Sequence, residues 1–150
     1  MISDGAEDEV TLGELTGSLG FQLRLAQLKA FQFFYQSMAE QDRKAGEFTV
    51  LWVIGLNAGA RQGAIARALM IKPAHMTKLV QRMVTAGFVA RVVPPEDRRS
   101  VRLSLTAEGQ EFLDENRTRF LAFHTEEAQG LDAGEAAQLM ALLAKYLAAA

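Results

Sequence analysis

The sequence predicts a mainly α-helical fold with one small antiparallel β-hairpin, together forming a winged helix-turn-helix. One apolar stripe recurs at i, i+3, i+4, i+7 and i+8, which is one face of a helix. Its members are Met76, Leu79, Val80, Met83 and Val84. From Phe88 the hydrophobic period becomes two, as in a strand. The polar segment 94–100 can continue neither pattern and indicates a hairpin tip.

The N-terminal part of the chain reads as an arm followed by a long helix. Residues 1–15 show no sustained period, which is typical of a mobile arm or a short helical lead-in. Residues 18–43 are apolar over most of a helix circumference, so this helix needs cover on several sides. A second subunit is expected to supply part of that cover, and packing within one chain is the alternative.

Three short helices are predicted next, as the helix-turn-helix core. Gly46 is expected to break the preceding pattern, and 47–57 then forms a buried apolar helix. Residues 61–70 form the second helix. The third runs over about 73–86, because Pro73 suits a first helical turn and Gly87 suits a left-handed residue after the last one. This third helix is the predicted recognition helix.

The C-terminal part begins with the wing and ends in two helices. The strands of a two-stranded hairpin are expected on either side of the 94–100 tip. Thr106 is a predicted N-cap for a helix reaching about residue 129. Asp132 and Glu135 form a capping-box pattern that starts a last helix with one apolar face.

We therefore divide the chain into three parts of one intertwined domain. They are an arm and dimerisation helix (1–45), a winged helix-turn-helix lobe (46–106) and C-terminal dimerisation helices (107–150). A chain of 150 residues can bury one proper core. The acidic start and the lack of a long apolar run predict a cytoplasmic location and no membrane partner.

Charge is distributed unevenly along the chain. The net charge is −2, yet residues 61–102 hold nine basic and two acidic residues, a net charge of +7. The rest of the chain holds seven basic and sixteen acidic residues, a net charge of −9. A basic module in an acidic frame is the electrostatic footprint of a phosphate-binding surface. A solvated helix face with ordinary surface charge is the alternative.

The motifs, taken in order, resemble the MarR family of bacterial transcriptional regulators. The matching motifs are Ile65-Ala66, Ile71, Thr77, Leu79-Val80, Gly87-Phe88-Val89, Arg91, Asp97-Arg98-Arg99 and Leu105-Thr106-Ala107-Glu108-Gly109. They cover about the middle 60 residues. The resemblance implies a homodimer on a pseudo-palindromic operator in double-stranded DNA, usually a repressor released by a small aromatic or phenolic ligand. Arg61 and Lys72 depart from it, since the family usually places a Ser or Thr helix cap at these positions.

The outward face of the recognition helix supplies the predicted DNA contacts. These residues are Lys72, Ala74, His75, Thr77, Lys78, Gln81 and Arg82. His75, Lys78 and Gln81 can hydrogen-bond base edges, Ala74 and Thr77 can contact a thymine methyl, and Arg82 is expected to hold phosphate. A surface histidine and a plain phosphate contact are the alternatives for His75 and Lys78. Arg98 and Arg99 resemble the family's wing pair, and Asp97 is expected to orient one of them by ion pairing.

An effector pocket is a further expectation, with less support from the residues. Its candidate lining is Phe31, Phe34, Tyr35, Trp52 and Phe112, and ordinary core packing is the alternative. Two rival functions stay open, a winged helix used for protein contact and a ligand-independent architectural DNA-binding protein. Salt-dependent, sequence-selective DNA affinity argues against the first, and loss of that affinity on adding a small molecule argues against the second.

Catalysis, metal and cofactor binding are not expected. The chain has no cysteine, so disulfides and thiol sensors are excluded. Its two histidines, His75 and His124, are far apart in sequence and lack partners at metal-ligand spacing. Three glycines, Gly55, Gly59 and Gly63, follow no strand and so form no phosphate loop.

Overall fold

The computed structural model describes residues 10–38 and 45–149, without the side chains of 33–35, 37–38, 45 and 123–127. The predicted arm is described only from residue 10, and Gly13–Gly17 forms a 3₁₀ helix there. The end of the helix predicted over 18–43 lies outside the described residues. In the described parts of the chain, no helix is long and apolar enough to cross a membrane.

Six α-helices and three short strands make up the described fold, in agreement with the predicted class. The helices are α1 (Leu19–Met38), α2 (Ala45–Leu56), α3 (Gln62–Ala68), α4 (Pro73–Thr85), α5 (Ala107–Glu127) and α6 (Ala133–Ala148). The strands are β1 (Ala60–Arg61), β2 (Val89–Val92) and β3 (Arg102–Leu105). Gly46 lies inside the first turn of α2, so the prediction that it breaks the helical pattern is wrong. A glycine in a first turn costs little when the apolar residues after it are buried.

The helix-turn-helix core is built from the apolar stripes of α2, α3 and α4. Met76, Val80 and Met83 of α4 have no solvent exposure, as the 3.6 period predicts. They pack with Leu51 and Ile54 of α2 in the main core. The turn between α3 and α4 includes Met70 at φ 54°, a left-handed conformation that a non-glycine residue rarely adopts.

The wing contains three strands, not the two predicted. β1 pairs antiparallel with β3, which also pairs with β2, so the order is β1-β3-β2. Gly59 at φ +79° turns the chain after α2, and its N–H donates to the carbonyl of Leu103 (2.8 Å). A two-residue strand is too short to show a period of two, so the hydrophobic pattern alone does not reveal it.

Thr106 joins the wing to the helix that follows it. Its Oγ1 accepts a hydrogen bond from the N–H of Gly109 (3.0 Å), which is the predicted N-cap. The same hydroxyl donates to the carbonyl of Gly87 (2.5 Å), the left-handed residue that ends α4. The end of the recognition helix, the base of the wing and the start of α5 are therefore tied at one point.

The terminal helices leave much apolar surface uncovered in one chain. The predicted capping box of α6 is present, since Asp132 and Glu135 each accept the other's backbone N–H (2.9 Å both). Yet α6 has no buried residue. We call the exposed apolar side chains of α1 and α6 the terminal face: Leu19, Leu25, Leu28, Phe31, Leu139, Met140, Leu142, Tyr146 and Leu147.

Candidate nucleic-acid interface

The outward face of α4 is exposed along its whole length. Lys72, Ala74, His75 and Lys78 all lie in solvent, opposite the buried stripe. Lys72 is the N-cap residue of α4 and makes no side-chain cap bond, and Arg61 stands in the same relation to α3. Both departures from the usual Ser or Thr cap are therefore real. At each of these two positions a cation stands where the resemblance predicts a neutral Ser or Thr cap.

The first residues of α3 connect α4 to the wing. The Gln62 side chain donates to Thr77 Oγ1 (3.3 Å), and its backbone N–H donates to the carbonyl of Val101 (2.8 Å). Thr77 also donates to the carbonyl of Pro73 (3.0 Å), so its hydroxyl is used within the fold. Only the Thr77 methyl is left for a base contact. Gln62, a residue that no sequence pattern singled out, thus bonds to both the recognition helix and the wing.

Gln81 is held by neighbouring side chains. Its Oε1 accepts from Arg91 Nη2 of β2 (2.7 Å), and its Nε2 donates to Thr85 (3.4 Å). A base contact by Gln81 would require these bonds to break. Arg91, one of the motif residues of the resemblance, therefore acts here as a brace between β2 and α4.

Arg82 has a partner inside the protein, which the sequence did not predict. Its Nε lies 2.6 Å from Oε1 of Glu47, whose residue is only 7% exposed. A buried carboxylate needs such a partner because an unpaired charge is costly to bury. Arg82 therefore joins α4 to α2 through its Nε, and its phosphate contact stays a prediction.

The wing tip is formed by two consecutive turns. The N–H of Asp97 donates to the carbonyl of Pro94 (3.1 Å), and the N–H of Ser100 donates to the carbonyl of Asp97 (3.0 Å). Asp97 was expected to pair with a wing arginine, but its Oδ2 lies 3.7 Å from Nη2 of Arg61. Its Oδ1 accepts the backbone N–H of Arg99 (3.3 Å), and no wing arginine side chain pairs with it in the described part of the chain.

Several cations of this surface are not used within the fold. Among the described residues, the side chains of Lys72, Lys78, Arg98 and Arg99 are exposed and make no hydrogen bond or ion pair. His75 is in the same situation. Such charges have little to stabilise inside the protein and are available to an anionic partner.

The proposed effector residues are only partly brought together. Trp52 and Phe112 pack around Phe48, with ring centroids at 5.7 and 6.4 Å from the Phe48 ring. The guanidinium of Arg117 lies over the Trp52 ring, 5.5 Å from its centroid. Phe31 of α1 is 38% exposed. The side chains of Phe34 and Tyr35 lie outside the described residues, so the pocket as a whole stays a prediction.

Metal binding finds no support in the side chains that the structure describes. Among them, no three His, Cys, Asp or Glu residues come together as a metal site would require. The His124 side chain lies outside this description.

Comparison with known proteins identifies the family. The sequence profile of the MarR family matches residues 44–101, which include α2, α3, α4 and β2 and end just before β3. The chain is also 32% identical over 106 residues to a protein of Thauera aromatica provisionally assigned as the transcriptional regulator of the hcr operon. That alignment covers 70% of this chain and 64% of the relative. The chain belongs to the MarR family.

Two further MarR relatives align over most of the chain. The multiple antibiotic resistance protein MarR of Escherichia coli is 27% identical, over 86% of this chain and 90% of that protein. The transcriptional repressor CouR, solved on a 23-mer DNA duplex, superposes with a TM-score of 0.80 and is 28% identical. That alignment covers 93% of this chain and 99% of CouR. MarR proteins are transcription regulators, which confirms the prediction that the chain is not an enzyme.

Proposed function

We propose that this MarR-family chain is a homodimeric repressor that binds a pseudo-palindromic operator and releases it when a small aromatic or phenolic ligand binds. The observation that carries the DNA-binding part is the set of exposed, unpaired cations on α4 and the wing tip. These cations lie within residues 61–102, which carry a net charge of +7 in a chain whose net charge is −2. DNA binding is further supported by the similar repressor CouR, which was solved on a DNA duplex.

The experiment that tests this function is selection of bound duplexes from a random pool. The expected result is a consensus of two inverted half-sites separated by about one helical turn, since a two-fold dimer reads DNA in this way. Recovery of random duplexes would favour an architectural protein, and no recovery at all would favour the protein-contact function. Either outcome would contradict the proposal.

His75 and Lys78 are expected to read bases, because both side chains are exposed near the start of α4 and free of protein partners. Replacing either by Ala should cost about 1–3 kcal/mol on the selected duplex and relax selectivity at particular positions. Arg119→Ala, which removes an exposed arginine of α5, is the control and should leave the consensus unchanged. Repeating the selection with each variant measures the change in selectivity at each position of the duplex. An unchanged consensus with both His75→Ala and Lys78→Ala would show that the reading surface is elsewhere.

The terminal face is the proposed dimer interface. Leu142 and Leu147 of α6 are 57% and 66% exposed in one chain, and Leu28 of α1 is 47% exposed. So many exposed large apolar side chains on two helices are rarely left in water and typically mark an interface between subunits. A second copy of the chain is its proposed occupant.

A charge placed on this face should therefore separate the subunits. Leu142→Glu is expected to shift the protein toward monomer or unfolded chain and to weaken operator binding, because two half-sites are no longer held together. Gln138→Glu, at an exposed polar position of the same helix, is the control and should change neither property. Sedimentation measures the oligomeric state, and DNA titration measures the affinity for the operator. A folded monomeric wild type at micromolar concentration would contradict the interface.

The ligand-release part is supported by the aromatic cluster of Trp52, Phe48, Phe112 and Phe120, which joins α2 to α5. Arg117 over Trp52 offers a cation to a phenolate or carboxylate. Addition of benzoate, salicylate and phenol to the protein–duplex complex tests this part. Release of DNA together with a change in Trp52 fluorescence is the expected result, since Trp52 is the one tryptophan. Release without a fluorescence change would place the ligand elsewhere.

A further inference from the structure

One side-chain hydrogen bond joins the start of α3 to the outward face of the recognition helix. Gln62 Nε2 donates to Thr77 Oγ1 over 3.3 Å, and in the described part of the chain this is the one bond of the Gln62 side chain. The Gln62 backbone is held separately, because its N–H donates to the carbonyl of Val101 (2.8 Å). The side chain is therefore not needed to attach α3 to the wing.

The Thr77 hydroxyl is fully engaged as a donor within the protein. A hydroxyl has one proton and two lone pairs. Thr77 Oγ1 donates its proton to the carbonyl of Pro73 (3.0 Å) and accepts the Gln62 proton on one lone pair. It has no proton left to donate to a base. The methyl is the remaining group of an exposed side chain.

Gln62 selects the conformation in which the Thr77 methyl is left free. A threonine in a helix divides its population between two χ1 rotamers, because its hydroxyl can reach carbonyls of the preceding turn. The bond to Pro73 therefore does not fix the side chain by itself. The Gln62 donor favours the rotamer whose Oγ1 faces α3. Removing this donor frees the Thr77 side chain to turn.

The Thr77 methyl has an apolar neighbour on the same face of α4. Ala74 lies three residues earlier, so the two exposed side chains are adjacent on the helix surface. The flanking residues His75 and Lys78 are polar. In the major groove, thymine is the base whose edge carries a methyl group. Two adjacent methyl groups on a polar face match that thymine methyl.

We propose that Gln62 is a positioning residue for base reading. Its side chain holds the Thr77 hydroxyl away from the duplex, so that the methyl groups of Thr77 and Ala74 contact one thymine in each half-site. Gln62 acts through Thr77 and makes no DNA contact of its own. This inference rests on the proposed DNA-binding function and adds a specificity determinant that lies outside the recognition helix.

Uracil substitution in the selected duplex tests this role, because uracil differs from thymine by lacking the methyl group. Each thymine of one half-site is replaced in turn, and the affinity of the full-length wild-type chain is measured. One of these replacements should weaken binding about fourfold, which is the effect of losing one buried methyl group. Thr77→Ser removes the contacting methyl and should lower this thymine-to-uracil affinity ratio to about twofold or less.

Gln62→Met keeps the length of the side chain and removes its donor. This variant should also lower the ratio to about twofold or less. Its salt slope should be unchanged, since no charge is lost. Adding Thr77→Val should restore the ratio, because valine carries a methyl in place of the hydroxyl and presents a methyl in either rotamer. Gln110→Met is the matched control and should keep the wild-type ratio, since exposed Gln110 bonds to Asp114 within α5.

The rescue by Thr77→Val separates positioning from a structural role. If Gln62 only supported the fold, Gln62→Met would lower the melting temperature, weaken binding to thymine and uracil duplexes alike, and gain nothing from Thr77→Val. That pattern, an unchanged ratio in Gln62→Met, or a wild-type chain insensitive to every uracil would overturn the inference and leave the proposed function intact. A wild-type chain that binds the selected and a scrambled duplex equally overturns the proposed function, and this inference with it.

Discussion

Replacing Arg98 and Arg99 together by alanine is expected to lower operator affinity at least about tenfold and to reduce the salt slope by roughly one to two. Both side chains are exposed and make no hydrogen bond or ion pair with other described residues. Against DNA, one guanidinium can enter a narrow minor groove, where the negative potential is enhanced, and the other can hold phosphate. The melting temperature and the dimer should be nearly unchanged, because an exposed arginine contributes little to stability.

The single variants and a matched control sharpen this test. Arg98→Ala and Arg99→Ala, made separately, show which arginine enters the minor groove: its loss relaxes selectivity beside each half-site, whereas loss of a phosphate contact weakens all sequences alike. Arg24→Ala with Arg119→Ala removes the same charge from exposed positions of α1 and α5 and should cost much less. If the wing variant bound with wild-type affinity and slope, the wing would not be a DNA-binding element, and protein contact would become the better account of it.

Gly109→Ala is expected to destabilise the fold by about 3 kcal/mol or more, because a large backbone shift is needed to make room. A Cβ on Gly109 would lie 2.9 Å from the carbonyl carbon of Phe88 and closer still to its oxygen, and backbone cannot move aside as a flexible side chain can. Displacing α5 would also loosen the stacked rings of Phe88 and Phe112, whose centroids are 4.9 Å apart. The free energy of unfolding of a typical domain is about 5–15 kcal/mol, so this loss would be a large part of it.

Urea unfolding of Gly109→Ala beside Gly63→Ala measures this effect. Gly63 also lies in a first helical turn, but the nearest atom to its added Cβ is Arg67 Nη1 at 3.7 Å. Gly63→Ala should therefore gain roughly 0.5–1 kcal/mol through helix propensity. Equal unfolding midpoints for the two variants would contradict the close approach of α5 to Phe88.

The parts of the fold that sequence predicted well are those fixed by local rules. The apolar stripe of α4 sets its buried face, and Gly87 ends the helix in the left-handed conformation that glycine favours. Thr106 and Asp132 cap the helices that follow them, as their side chains suggest. The exposed positions of α4 follow from the same period, which is why most of the candidate DNA surface could be named in advance.

The parts that sequence did not predict depend on contacts between distant residues. Asp97 meets Arg61, 36 positions earlier, and Arg82 meets Glu47, 35 positions earlier. No periodicity encodes which of several nearby charges becomes the partner. Gln62 is an ordinary polar residue in the sequence, and its bond to Thr77 appears only once α3 and α4 are packed together.

The most direct test of sequence-specific binding by a dimer is one titration series by fluorescence anisotropy. Wild-type protein is titrated with the selected two-half-site duplex, a duplex carrying one half-site, and a scrambled duplex, each at several salt concentrations. We expect two chains per full duplex, affinity for the full site at least about a thousandfold above the scrambled one, and a steep fall of affinity with salt. Equal affinity for all three duplexes, or no binding to any of them, would contradict sequence-specific binding by a dimer.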